Sequence, residues 1–162
     1  MRNIFLAAAA LCLLSSPVLA ASATASASAT VLQPLTVTQS QGVTFGSLNP
    51  NPSGGADVTI AMGAAGFMGD TSHAFGAHHQ STHNIAGTPN AAIAVSVPAT
   101  YTLNGPGGSL TVTAISDVPA GGTGTLDASG VAQVNVGGTF VLPAGLLAGA
   151  YTGSFTITAN YQ

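Results

Sequence analysis

Beyond about residue 30 the chain alternates apolar with polar positions at a period of two, and Gly or Pro interrupts it every ten or so residues, the pattern of short half-buried strands. From Thr30 the pattern places Val31, Gln33, Leu35 and Val37 on one face and Thr36 and Thr38 on the other, with Pro34 marking an edge or a kink. A short continuation at Val43–Gly46 leads into Asn49–Gly55, a loop by its Asn, Pro and Gly content. Further strands are expected at Asp57–Met62, at Ala92–Pro98 through Ile93, Val95 and Val97, at Tyr101 and Leu103, and at Leu110, Val112 and Ala114. After a turn at Pro119–Gly122 come Val131–Val136 and Thr139–Leu142, read as two strands separated by Gly137 and Gly138. The clearest alternation is the last, Ala150–Gln162. It sets Tyr151, Gly153, Phe155, Ile157, Ala159 and Tyr161 on one face, with Thr, Ser, Asn and Gln on the other. No amphipathic helix is predicted, so the expected fold is an all-β antiparallel sandwich or barrel.

The N-terminus differs in kind. Met1–Asn3 carries a charge, Ile4–Leu14 is apolar, and Ser15–Pro17 followed by Val18-Leu19-Ala20 supplies small residues, the three regions of a secretory signal peptide with cleavage expected after Ala20. Cys12 follows Leu11, where a lipoprotein signal needs a small residue, so lipidation is not expected. The apolar run is shorter than the roughly 20 residues of a membrane span, and no membrane anchor is expected in the exported chain. Residues 21–29 form an Ala/Ser/Thr arm of period two, expected to be flexible, and residues 30–162 form a single domain. The expected localisation is the periplasm, the cell surface or the extracellular space.

Charge narrows the partners. Arg2 is the only Lys or Arg and Cys12 the only cysteine, so the exported chain has no permanent cation and no internal disulfide. Phosphate-rich partners need cationic side chains, which excludes nucleic acid and anionic membrane surfaces. Asp57, Asp70, Asp117 and Asp127 are the only acids. With so little charge to hold copies apart, self-association meets little electrostatic resistance.

The segments Ala29–Thr38 (ATVLQPLTVT), Val43–Gly46 (VTFG), Gly87–Ala92 (GTPNAA), Ala99–Thr102 (ATYT) and Gly149–Gln162 (GAYTGSFTITANYQ) together resemble the DUF4402 family of exported bacterial proteins, similar in turn to spore-coat-U-type and chaperone–usher fimbrial subunits. The resemblance implies an immunoglobulin-like β-sandwich lacking its final strand. It also implies an assembly strand at the C-terminus, carrying an aromatic at the penultimate position and a Gly fourteen from the end, which Tyr161 and Gly149 match. The assembly strand is thereby assigned to Gly149, Tyr151, Phe155, Ile157 and Tyr161. A donor or edge strand falls at Val31, Leu35 and Val37. Implied partners are further copies in a filament, a periplasmic chaperone and an outer-membrane usher, acting by strand addition to an exposed edge. A self-complete sandwich, whose first strand pairs with its last, fits the same alternation and stays open as the alternative. The Ala21–Ala29 arm offers a groove only methyl groups, and the disulfide common in such subunits is missing.

All four histidines, His73, His78, His79 and His83, lie in one Gly-rich segment between Gly63 and Gly87. Imidazoles ligate zinc, copper and nickel, and His79 and His83 would align on a helix, but the surrounding Gly, Ser and Thr oppose a helix and only Asp70 is a nearby carboxylate. The competing readings are a metal-sequestering binding module and a polar surface loop. No His-x-His pair occurs for a copper–zinc dismutase-like site and no Gly-x-Ser-x-Gly elbow for a serine hydrolase, and four scattered Asp with no Glu are a poor source of the two placed carboxylates a glycosidase usually needs. The chain is accordingly expected not to be an enzyme and to need no cofactor. Asp127-Ala128-Ser129-Gly130 reads as a turn rather than a calcium site.

Overall fold

The computed structural model describes residues 21–49, 58–63, 73–118 and 122–162. The expected signal peptide, the Asn49–Gly55 loop beyond Asn49, Asp57, Asp70 and most of the Pro119–Gly122 turn lie outside these residues. The chain divides into two units, Met1–Thr30 and Val31–Gln162. In the first, residues 21–30 are exposed and form no strand.

Among its described residues the second unit contains eleven strands and no helix: β1 (Thr36–Gln41), β2 (Ser47–Leu48), β3 (Val58–Met62), β4 (Ala74–Phe75), β5 (Ser81–Ala86), β6 (Ala92–Ser96), β7 (Thr100–Gly105), β8 (Gly108–Ser116), β9 (Thr123–Thr125), β10 (Val131–Leu142) and β11 (Thr158–Tyr161). The main sheet has the order β1-β5-β10-β8-β7, with β3 beside the second half of β10. A second sheet runs β11-β6-β9, and β2 pairs with β4. Every pairing is antiparallel, and the sheets curl as a half-barrel around a shared interior, an architecture consistent with a β-sandwich.

Alternation explains the interior. One buried cluster joins Ile85, Val134 and Val136 of the main sheet to Ile93 and Val95 of the second, with Leu126 and Ile157. Another gathers Phe45, Tyr101, Leu110, Val112, Phe140 and Leu142, with the Phe45 and Phe140 rings edge-on at 4.9 Å. Each fully buried side chain of this size contributes about 1.5–3 kcal/mol by leaving water.

Four expectations are revised. The first strand begins after Pro34, at Thr36, leaving Val31 95% exposed, whereas Leu35 and Val37 pack against the core; Pro34 does precede an edge strand. Val43–Gly46 is not a strand, although Thr44 bridges His79 and Phe45 enters the core. The two strands expected around Gly137-Gly138 are one strand of 12 residues. Gly138 sits inside it because Val112 occupies the space a Cβ would need. Finally, Ser81–Ala86 is no surface loop but a central strand between β1 and β10, with Ser81, His83 and Ile85 buried on its inner face.

Candidate functional site

The closing segment, residues 149–162, keeps its predicted faces except at Gly153, which is exposed: Tyr151, Phe155, Ile157, Ala159 and Tyr161 are half-buried or buried, and Thr152, Ser154, Thr156, Thr158 and Asn160 are exposed. It is not, however, one continuous strand. Thr152 exchanges two backbone hydrogen bonds with Asn104 of β7, at 2.8 and 3.0 Å, so the segment starts against the edge of the main sheet. It then crosses over, and Thr158–Tyr161 pairs with β6 in the second sheet. Between these anchors, residues 153–157 make no backbone–backbone hydrogen bond to any described residue. Among the described residues β11 is the outer strand of its sheet, so its far edge also has no ladder there.

Side chains hold the crossing. Phe155 lies against Tyr101, ring centroids 4.7 Å apart, and against His83 at 5.9 Å. Ile157 is buried in the inter-sheet cluster. Burial pushes the Tyr101 phenol up to about 12, and its hydroxyl donates to the Gly137 carbonyl at 3.4 Å. Gly153 has no substitute here, since a Cβ would collide with the Thr102 carbonyl oxygen of β7.

At the start of the closing segment, up to Gly153, lies a cleft of about 890 Å³. One lip is Val43–Asn49, the other Gly145–Gly153, and the floor includes Leu103, Leu110 and Leu142. A smaller depression of about 170 Å³ continues it between Gln39, Gly42 and Val43 on one side and Gly153, Ser154 and Phe155 on the other. The two share Val43 and Gly153, and together they form a seam between the first strand with its extension and the closing segment. No residue lining the seam is charged. An uncharged seam with an apolar floor at one end and, at Ser154 and Phe155, peptide groups without a partner among the described residues at the other suits an extended polypeptide, which fills the one and satisfies the other.

The histidines do not converge. His78 is exposed, with Nδ1 3.3 Å from the Gly76 carbonyl, while the half-buried His79 has an Nδ1 without a hydrogen-bond partner. His79 and His83 are not on a helix. His83 faces the interior from β5, with Nδ1 3.1 Å from the Ser81 hydroxyl, and burial lowers its pKa. Among the described residues no group of three or more His, Cys, Asp or Glu is placed to hold a metal ion. The Ser81–His83 pair has the composition of a nucleophile and a base, but Ser81 is 0% exposed, beyond reach of a substrate. Asp127 makes the expected turn, its Oδ1 accepting from the Ser129 and Val131 amides at 2.8 Å.

Two features escaped the sequence reading. The seam's second lip, Gly145–Ala150, has no alternation to announce it. Tyr161, expected to serve through its ring, also works through its hydroxyl, which donates to the Gln33 carbonyl at 2.8 Å and accepts from the Thr88 amide at 2.7 Å.

These features define an all-β, antiparallel half-barrel domain with an open seam beside its last strand. The DUF4402 family, described as a domain of unknown function, matches residues 35–161, and the chain belongs to it. Neither the curated proteins nor the solved structures contain a match to the chain. Among the described residues no helix is long and apolar enough to cross a membrane.

Proposed function

We propose that this protein is an exported structural subunit of a cell-surface assembly, of the fimbrial type, and not an enzyme. In this reading the domain is an immunoglobulin-like sandwich whose seam receives an extended strand from a partner. The observation that carries it is residues 153–157, which turn Phe155 and Ile157 inward yet find no ladder partner among the described residues, with Gly153 on the rim of the larger cleft and Ser154 and Phe155 on the smaller depression that continues it. An edge of this kind attracts another strand. The signal-peptide pattern of residues 1–20 supports export, and the exported chain's small total charge, four Asp and no Lys or Arg, leaves little repulsion to oppose stacking of copies.

The strand lent to the seam comes from the N-terminal arm of another copy, after a periplasmic chaperone has occupied the seam during export and an outer-membrane usher has guided the exchange. Leu35 and Val37 are committed to their own core, so the lent residues are those before them. Adhesion follows from display on the filament. The test compares exported protein beginning at Ala21 with the same protein beginning at Gln33. The longer form is expected to elongate into filaments in electron micrographs, alone or after displacement of a co-expressed chaperone, while the shorter remains monomeric. Equal filament formation by both, or by neither with the chaperone present, would overturn the proposal.

A further inference from the structure

The hydroxyl of Tyr161 does more than end a strand. It donates to the carbonyl of Gln33 at 2.8 Å and accepts from the amide of Thr88 at 2.7 Å, and the Gln33 amide donates to the Thr88 hydroxyl at 2.8 Å. Both backbone groups of Gln33 are therefore occupied, one by the closing segment and one by the turn before β6. On the C-terminal side of this knot Leu35 and Val37 are packed into the core, and Thr36 begins the ladder with β5. On the N-terminal side Leu32 is 42% and Val31 95% exposed, and residues 21–30 are exposed throughout.

We infer that the Tyr161–Gln33–Thr88 knot is a clamp that divides the N-terminal segment, fixing residues from Gln33 onward in their own subunit and leaving Ala21–Leu32 as the portion free to leave. This rests on the proposed strand exchange and deepens it by naming the lent segment. Within that portion every odd position from Ala21 to Val31 is apolar and every even position from Ser22 to Thr30 carries a hydroxyl, so an extended arm has one methyl-lined face for the seam and one hydroxyl face for water. The clamp lies on the same chain end that pairs with β6, so the two ends of the domain are held by one side chain. Proline at position 34 reinforces the boundary, since it gives the backbone no amide with which to extend the β1 ladder past the clamp.

The test is residue-resolved amide exchange on full-length exported protein, comparing wild type with Tyr161→Phe. Phenylalanine keeps the ring and removes only the hydroxyl. In wild type the Gln33 amide is protected and residues 21–32 are not. In Tyr161→Phe, Gln33 exchange rises about tenfold, the effect of losing one or two hydrogen bonds, while the β10 amides keep their protection and report an intact fold. Thr88→Val, which removes the acceptor for the Gln33 amide, produces the same loosening. Elastase suits a chain without Lys or Arg: its trimming of wild type stops near Gln33 and in either variant proceeds into β1. Unchanged Gln33 exchange and unchanged trimming in both variants would overturn the clamp. These readouts are made on monomer, so they stand or fall apart from filament formation. In assembled material, protection gained on assembly ends at Leu32, and a gain extending through Val37 would also overturn the inference.

Discussion

β10 and the closing segment have much the same facial pattern and opposite circumstances. Along β10, Val134, Val136, Phe140 and Leu142 face inward, and the strand is paired along one edge by β5 and then β3 and, at Val136–Thr139, on the other edge by β8. The closing segment turns Phe155 and Ile157 inward just as regularly, but among the described residues its middle has no ladder and its last strand has one. Side-chain alternation thus reports which face is buried and is silent about which backbone edges are satisfied. A strand can be fully specified in the first sense and half-finished in the second, and function is proposed where the two part company.

The largest expected effect comes from weakening the finished region. Phe140→Ala removes a buried ring packed edge-on against Phe45 and should cost about 3–5 kcal/mol of global stability in urea denaturation followed by circular dichroism. The corresponding Phe155→Ala removes a half-buried ring from a segment without a ladder and should cost about 1–2 kcal/mol. Equal losses at the two positions would erase the contrast between the regions.

A substitution at the junction separates them further. Gly153→Ala places a methyl on the Thr102 carbonyl, so the Thr152–Asn104 bridge must part, with an expected cost of about 1–3 kcal/mol. Amide exchange should accelerate at Thr152 and Asn104 and remain slow along β10. Gly124→Ala, where the nearest atom would be 3.9 Å away, is the matched control and should change stability by less than about 0.5 kcal/mol.

A smaller effect depends on pH. His83 faces Phe155 from beneath the closing segment, flanked in register by Gln39 and Val134 and two residues from Ser81, none of which carries a charge. Burial holds its pKa below the ordinary 6.5, so the folded state favours the neutral ring. The unfolded chain then binds the proton more readily. This contribution to stability is complete above pH 6.5 and falls as the pH drops below it toward the lowered folded value. The urea midpoint should decline between pH 7 and pH 5, and by less in His83→Gln.

Much of this molecule was readable in advance where apolar residues are large. Ile93 and Val95 announced β6, Leu110 and Val112 announced β8, and the faces of residues 151–161 were assigned as found. β5 was missed because its buried face is Ser81, His83 and Ile85, a single aliphatic among polar groups, and it is central only because β1 and β10 cover both its edges. Gly137-Gly138 read as a break because glycine usually interrupts strands, whereas here close packing of Val112 demands it. The seam was only half legible: Tyr151 and Phe155 could be named, but that residues 153–157 cross between sheets depends on which backbone groups find partners, and no local pattern encodes that.

The central claim, that the backbone of residues 153–157 waits for a strand, has one direct test. Amide exchange across these five residues is measured in protein beginning at Gln33, before and after addition of a peptide with the sequence of residues 21–32 at saturating concentration. The account predicts fast exchange without the peptide and marked slowing at alternate amides of 153–157 with it, β10 remaining unchanged. Slow exchange before the peptide is added, or no slowing afterwards, would contradict it.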